Sequence, residues 1–199
     1  MNALAELNSL AAMFPGGAHG TSDSSARSPL DDPAPLWNAA EHVPASALPA
    51  PYRELLDHEA HMTVAMERFH GGPVAVRVLD EKWDAGRYCR KITLVREPER
   101  PGEPERTVQF GLVRFDLSHV DPQVREEILG GEIPLGRVLI NHDVLREVDL
   151  GALLKLTAGP GLARHLNMPE GEIAWGRLAT IFTNGKPALD LLEVSAPAP

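Results

Sequence analysis

Residues 55–72, LLDHEAHMTVAMERFHGG, hold three histidines and two glutamates around Met62. The pattern is close to H-E-x-x-H, in which two imidazoles one helical turn apart bind zinc and the glutamate acts as a base. Met62 stands where the second histidine of that motif belongs. His58 and His61 could still share a metal, but Cys89 is the single cysteine and there is no second histidine pair elsewhere. Solvated or helix-capping histidines are the more ordinary interpretation, and we expect no metal.

The composition is that of an acidic globular protein. The 199 residues are 43% hydrophobic and 24% charged, with a net charge of −9, which suits one domain with a real core. This charge argues against nucleic acid or a membrane surface as a partner, and an anionic ligand would need an enclosed, locally cationic pocket. A single cysteine excludes an internal disulfide and fits a reducing, cytoplasmic location.

The start of the chain carries no signal for export. Glu6 is its first charged residue, and no lysine or arginine precedes Arg27, which argues against a secretory leader. No apolar run approaches the roughly 18 residues that a membrane span needs.

Residues 1–50 differ from the rest, with six prolines, a Gly-Gly pair and a net charge of −4. Such a segment buries too little apolar surface to offset its ordering entropy. We predict a flexible Pro/Ala/Ser-rich leader over 1–50, in which residues 2–13 could form a short helix, and a folded domain over 51–199.

Within that domain, apolar periodicity, alternation and capping residues predict helices and strands. A helix over 52–69 ends at Gly71-Gly72-Pro73, and Asp121-Pro122 begins another that Gly130 closes. Pro134 could open a further helical turn. The predicted strands are 74–79, 87–95, 107–117 and an edge strand over 144–150, and a helix broken at residues 159–161 is expected within 152–172.

The last hairpin is the clearest local element, because Asn184-Gly185 supplies the positive φ angles of a type I′ turn between two alternating runs. Without a bulge, Glu193 would face Gly176 across this hairpin. Several antiparallel strands with helices before and between them predict an α+β domain.

Two charged residues interrupt apolar alternations. Arg90 shares a strand face with Ile92 and Leu94, so it is paired in the core, aimed at an anion in a pocket, or folded out to water at an edge. Glu193 lies in register with Leu191 in the same way, although its neighbouring face is also partly apolar. A guanidinium and a carboxylate directed inward from separate strands could hold and polarise a small anionic substrate. Met62 and Leu135 are ordinary core residues by default.

Seven fragments, in this order and spacing, are LLD…HMT (55–63), YCRKITLV (88–95), FGLVRFDLSHV (110–120), IPLGRVL (133–139), WGR (175–177), NGKP (184–187) and LLEVSAP (191–197). Together they make the chain from about Leu55 to Pro197 resemble the chorismate pyruvate-lyase family and its UTRA-like fold relatives. The resemblance implies a mostly antiparallel sheet with helices packed on it and helical flaps over an internal ligand pocket. It also implies that no cofactor, metal or organic, is needed.

The resemblance also implies roles for four residues in ligand binding and catalysis. Met62 would contact the ring of the ligand, Arg90 would pair with the ligand carboxylate, and Leu135 would line the pocket. Glu193 would hydrogen-bond the ring oxygen at the far end and assist proton transfer, so Arg90 and Glu193 are the expected catalytic pair.

Two departures from the family pattern affect these assignments. Gly111 is followed by Leu112 where the family has Gly-Arg, and Arg114, two residues on, could substitute. Glu193 stands six residues after the hairpin proline rather than five, which would turn its side chain to the other sheet face. Either a bulge absorbs the extra residue, or Leu192 faces the pocket and Asp190 is the carboxylate on that side.

The function implied is a carbon–oxygen lyase that eliminates pyruvate from chorismate to give 4-hydroxybenzoate. Two alternatives stay open: a non-catalytic module of the same fold that binds an aromatic or cyclic acid, and a lyase-like enzyme acting on a chorismate analogue. A transcription regulator would carry a basic helix-turn-helix, whereas residues 1–50 are acidic and proline-rich.

Overall fold

The structure is a computed structural model that describes residues 2–14, 34–98, 100, 102–118, 120–144 and 146–198. The described helices are α1 (Ala3–Ala11), α2 (Ala50–Leu56), α3 (Met62–His70), α4 (Pro122–Gly130), α5 (Leu135–Asn141) and α6 (Pro160–Leu166), with a 3-10 turn at Ala45–Ala47. The described strands are β1 (Trp37–Val43), β2 (Val74–Asp84), β3 (Arg87–Arg96), β4 (Arg106–Phe115), β5 (Arg146–Ala158), β6 (Ile173–Thr183) and β7 (Lys186–Ser195).

The seven strands form one antiparallel sheet in the order β1-β5-β6-β7-β4-β3-β2. Helices cover both faces of this sheet. On one face, α1 and α6 pack on a core that includes Leu112, Leu154 and Leu192. On the other face, α2 to α5 pack on two apolar clusters. The prediction of an α+β domain with a mostly antiparallel sheet is confirmed.

The helix predicted over residues 52–69 is two helices, α2 and α3. The chain bends at residues 57–60, and Gly71 (φ 70°) ends α3 in the left-handed conformation, as the Gly-Gly-Pro sequence predicts. The bend follows from the tertiary structure, because a buried arginine on β6 binds two carbonyls of the bent segment. We call residues 57–60 the roof segment.

Strand β5 corrects one expectation. Residues 152–158, where the sequence favours a helical piece, continue the strand that begins at residue 146, and only α6 is helical in this region. Residues 153–158 pair with β1 on one side and with β6 on the other, whereas residues 146–150, within the predicted edge strand, pair with β6 alone among the described strands. ALLKLTA has good helix formers, but pairing on both sides overrides that preference.

The leader contains the short helix that the sequence allows at residues 2–13 and a strand that its composition does not reveal. Helix α1 buries Leu7 and Leu10 completely against the sheet. Strand β1 pairs with β5 over residues 37–43. The predicted flexibility of residues 15–33 lies outside the described residues.

The β6–β7 hairpin decides which carboxylate faces the helices α2 to α5. Asn184 (φ 51°) and Gly185 (φ 75°) form the predicted turn. Phe182 pairs with Pro187 but Ile181 pairs with Leu189, so one residue of β7 is bulged. Beyond the bulge Glu193 pairs with Arg177, and not with Gly176 as the unbulged register would have it.

Candidate functional site

A small cavity lies between the sheet and the helices α3 and α5. Its apolar lining comes from five strands and both helices, and includes Met62, Ile92, Leu94, Val113, Leu135, Val148, Ile181 and Leu191. Its polar lining includes Gln109, Arg177 and Glu193. The cavity volume is about 40 Å³. Since one water occupies about 10–15 Å³ on this measure, the cavity has room for a few waters, and a ring-sized ligand must displace its walls.

Arg177 and Glu193 form a buried ion pair on the floor of this cavity. Nε of Arg177 donates to Oε2 of Glu193 at 2.7 Å, between side chains that are 1% and 12% exposed. The two residues are direct cross-strand partners on β6 and β7. Removal from water strengthens such a charge-assisted bond, so the pair fixes the position of the Glu193 carboxylate.

The same guanidinium reaches up to the roof segment. Nη1 of Arg177 donates to the carbonyl of His58 at 2.7 Å, and Nη2 donates to the carbonyl of Ala60 at 3.3 Å. Nη1 also lies 3.3 Å from Nδ1 of His58. Arg177 therefore joins the carboxylate on the cavity floor to the chain that closes the cavity above.

Helices α3 and α5 close the cavity beside the roof segment. A Cβ added at Gly136 would lie 2.9 Å from Oγ1 of Thr63 and 3.3 Å from Cβ of His61, so only glycine permits this approach. Arg137 forms an ion pair with Glu67 across the same two helices. The PLGR motif thus lets α5 pack closely against α3.

Three of the residues implied by the resemblance meet at this cavity. Met62 begins α3, Leu135 begins α5, and Glu193 comes from the last strand; all three line the cavity. Gly111 also lines it, between Ile92 on β3 and Glu193 on β7. A Cβ at Gly111 would lie 3.1 Å from Cγ1 of Ile92, so the glycine keeps space beside Glu193.

Arg90 lies on the same sheet face but outside the cavity lining. Its side chain is buried at 2% exposure under α4, and Nη1 donates to the carbonyl of Ile128 at 3.1 Å. The guanidinium carbon lies 5.2 Å from the ring centre of Phe115 and 5.7 Å from that of Tyr88. Nε of Arg90 has no hydrogen-bond partner among the described residues. Burial lowers the pKa of this guanidinium, an effect that Tyr88 and Glu81 partly offset.

Arg114 and Asp190 lie on the opposite face of the sheet, which corrects the suggestion that Arg114 could replace the family arginine. Arg114 donates from Nη2 to Asp190 and to Glu6 of α1, both at 2.8 Å. The reason is parity, because two residues beyond Leu112 is again the face of Leu112, which packs under α1 and α6. Of the two open alternatives for the acid, the bulge is the one observed, and it turns Glu193 to the cavity.

Two polar groups of the cavity were not identified from the sequence. Gln109 is 2% exposed, and its Oε1 has no hydrogen-bond partner in the described part of the chain. Buried amide oxygens are nearly always bonded, so this acceptor is suited to a donor on a bound molecule. Arg177 enters the sequence analysis only as part of the WGR fragment. The alternation of β6 is the signal that could have identified it, because Arg177, Ala179 and Ile181 share one strand face.

The electrostatics of the roof segment favour a neutral His58. Burial lowers the pKa of this imidazole, and the positive charge of Arg177 lowers it further, with partial compensation by hydrogen bonds to the backbone and by Glu193. Nδ1 of His58 accepts from the amide of Ala60 at 3.1 Å, which requires an unprotonated nitrogen.

The described residues contain no group of three or more His, Cys, Asp or Glu side chains placed to hold a metal ion. None of the helices in the described ranges has the length and hydrophobicity to cross a bilayer.

No family model matches the sequence, and no curated protein matches it. Several solved structures resemble the fold. A GntR-family transcriptional regulator from Enterococcus faecalis V583 is 11% identical with a TM-score of 0.41, over 61% of this chain and 92% of that one. The C-terminal domain of the histidine utilization repressor from Pseudomonas syringae pv. tomato DC3000 is 12% identical with a TM-score of 0.42, over 62% and 91%.

A gene product from Staphylococcus aureus N315 is 12% identical with a TM-score of 0.44, over 70% of this chain and 90% of that one. At such low identities and TM-scores, these likenesses say nothing about what the present chain binds.

Proposed function

We propose that this protein binds a small cyclic carboxylic acid in the cavity between the sheet and the helices α3 and α5, and that it eliminates pyruvate from chorismate to give 4-hydroxybenzoate. One observation carries the proposal. Met62, Leu135 and Glu193 come from three distant segments of the resemblance and line one cavity. No metal or organic cofactor enters the proposed reaction.

The lining suits a flat ring with polar substituents. Apolar side chains surround most of the cavity, and a few polar groups sit at fixed places, which is the usual make-up of a small-molecule site. Glu193 uses Oε2 for its bond to Arg177, and Oε1 remains as an acceptor for the ring hydroxyl. Gln109 offers a second acceptor through its unpartnered Oε1.

Arg90 is the proposed partner of the ligand carboxylate, as the resemblance implies. It pairs with Val113, which lines the cavity, so its strand position is adjacent to the ligand space. Nη1 of Arg90 donates to the carbonyl of Ile128, whereas Nε has no partner among the described residues, so a ligand carboxylate needs the guanidinium to move towards the cavity but not to give up Ile128. The fork of a guanidinium matches a carboxylate in two parallel bonds, which favours this pairing.

The proposed reaction requires little catalytic chemistry from the protein itself. The bond between the ring and the ether oxygen breaks, the ring loses a proton and becomes aromatic, and the enolpyruvyl fragment gains a proton and leaves as pyruvate. Aromatisation makes the step downhill, so the protein must bind, exclude water and assist one proton transfer. Glu193 is the group in the cavity that we assign to that transfer.

A direct assay tests this proposal. Purified protein is mixed with chorismate, 4-hydroxybenzoate is followed by its absorbance, and pyruvate is measured with lactate dehydrogenase and NADH. We expect the two products in equal amounts. A folded protein that yields neither product contradicts the lyase.

A second candidate is a non-catalytic binding module for an aromatic or cyclic acid. The position of Arg90 favours it, because binding in the present cavity uses residues that already line it, whereas the proposed turnover also needs the guanidinium of Arg90, which lies outside the lining, to move towards the cavity. Calorimetric binding of 4-hydroxybenzoate without turnover of chorismate would support this candidate. A lyase-like enzyme on an analogue would instead give pyruvate from another enolpyruvyl ether.

A further inference from the structure

The small size of the cavity raises the question of how a ligand fits into it. Its volume of about 40 Å³ is far below the roughly 300 Å³ or more of typical small-molecule pockets. The floor consists of paired strands, so the mobile wall must be on the helical side. On that side, the roof segment has no regular secondary structure, and Ala60 lines the cavity directly; residues 131–134 are also irregular, but no bond from an arginine side chain to their carbonyls is observed among the described contacts.

Arg177 supplies the bonds that hold the roof segment down. The carbonyls of His58 and Ala60 both accept from its guanidinium, and Nε of the same group holds Glu193. The Arg177 side chain is 1% exposed and its bonds to the two roof carbonyls are partly buried, which strengthens these charge-assisted hydrogen bonds relative to those at an open surface. Opening the roof must break the two Nη bonds, while the Nε bond to Glu193 can persist.

We propose that Arg177 is the latch of the cavity: its Nη groups hold the roof segment closed, and its Nε group keeps Glu193 in place in both the closed and open states. This inference rests on the proposed function for the identity of the ligand but not for the existence of the latch. Arg177 is thus a positioning residue that acts through the roof segment and Glu193.

The latch predicts how loss of Arg177 changes the rate constants for ligand association and dissociation. Without it the roof opens more often, so a ligand enters faster and also leaves faster. With Glu193 released as well, dissociation rises more than association, and affinity falls. A residue that only supported the fold would lower the fraction of active protein without raising the association rate constant.

The first experiment needs no ligand. Hydrogen exchange is measured for the amides of residues 57–65 in the full chain, in Arg177→Gln and in Arg177→Lys, which keeps the charge but cannot span both carbonyls. Arg114→Gln, which removes an ion-paired arginine from the opposite face, is the matched control. We expect exchange at least about tenfold faster in Arg177→Gln, an intermediate rate in Arg177→Lys and no local change in the control.

Two further readouts accompany the exchange rates. The NMR titration of His58 should move towards its ordinary pKa in Arg177→Gln, because the neighbouring positive charge is gone. Stopped-flow binding of 4-hydroxybenzoate should show a larger association rate constant in the variant than in the unmodified protein.

Exchange rates of residues 57–65 that stay within twofold of the unmodified protein in both variants would overturn the latch. Should 4-hydroxybenzoate not bind the unmodified protein, the proposed function fails while the exchange and titration results still decide the latch. An unfolded Arg177→Gln leaves Arg177→Lys as the deciding variant.

Discussion

Arg177 and Glu193 face each other across β6 and β7, with Nε and Oε2 2.7 Å apart on the floor of the cavity. A bulge in β7 creates this relationship, since the unbulged register would place Gly176 opposite the acid. The pair is buried, and its positions follow from strand pairing rather than from flexible loops. The cavity therefore has a preorganised floor.

Substitutions of Arg177 and Glu193 should have strongly coupled effects on the free energy of unfolding. Arg177→Met leaves an uncompensated carboxylate and two roof carbonyls without donors, and we expect a loss of about 3–5 kcal/mol in the free energy of unfolding. Glu193→Met leaves a buried guanidinium and should also be costly. The double variant should lose clearly less than the two single losses together, because no unpaired charge remains. Urea unfolding measures all three, and strict additivity would contradict the coupling.

Substitution of Gln109 should change stability and ligand binding in opposite directions. Gln109→Met replaces a buried amide whose Oε1 has no partner by an apolar side chain of similar length. We expect the ligand-free protein to become more stable by about 1 kcal/mol, since an unsatisfied buried acceptor is removed. Binding of 4-hydroxybenzoate, measured by calorimetry, should become weaker at the same time. A variant that binds as tightly as the unmodified protein would show that Gln109 does not contact the ligand.

The packing of α5 on α3 depends on Gly136. A methyl group there meets Thr63 and His61, so Gly136→Ala should cost about 1–2 kcal/mol and loosen the cavity wall. Gly130→Ala is the matched control, because no heavy atom lies within 4 Å of its added Cβ and alanine favours a helix. Thermal unfolding of both variants distinguishes them. Equal unfolding temperatures for the two variants would mean that α3 and α5 leave room for a methyl group at position 136.

Histidine protonation should make the protein less stable in mild acid. Burial, reinforced by Arg106 and Arg96, lowers the pKa of His70 at the end of α3 from 6.5 to about 4. Between these values the unfolded chain binds a proton that the folded chain does not, so stability falls as the pH decreases and this contribution levels off below about 4.

His70→Gln should flatten that part of the stability curve, and unfolding experiments from pH 7 to pH 4 on both proteins measure it. His58 acts in the same direction, since its pKa is also lowered. A slope that is unchanged in His70→Gln would exclude this histidine as its source.

Local patterns predicted much of the fold. Asn184-Gly185 predicted the last hairpin, Asp121-Pro122 predicted the start of α4, and alternation predicted β3 and β4. These features depend on turn, cap and periodicity rules that act within a few residues. The α+β class followed from them.

Features that depend on distant partners were not predictable in the same way. Residues 152–158 favour a helix locally and become a strand because β1 and β6 lie on either side. The roof segment interrupts a helical pattern because Arg177, more than a hundred residues later, binds its carbonyls. The sequence could not show that Arg90 contacts Ile128, since α4 is placed by the packing of the whole domain.

The bulge in β7 was only partly predictable from the sequence. The spacing of Pro187 and Glu193 showed that one residue was extra, and two outcomes were consistent with it. The choice depends on what each face offers the acid. Arg114 binds Asp190 on one face, and Arg177 binds Glu193 on the other.

Turnover of chorismate by Glu193→Gln, side by side with the unmodified protein, tests the central claim most directly. We predict equal amounts of 4-hydroxybenzoate and pyruvate from the unmodified protein, a loss of about a hundredfold or more in kcat for Glu193→Gln, and a similar loss for Arg90→Ala. Arg114→Gln, on the opposite face, should turn over normally. No product from the folded unmodified protein, or undiminished turnover by Glu193→Gln, would contradict the account.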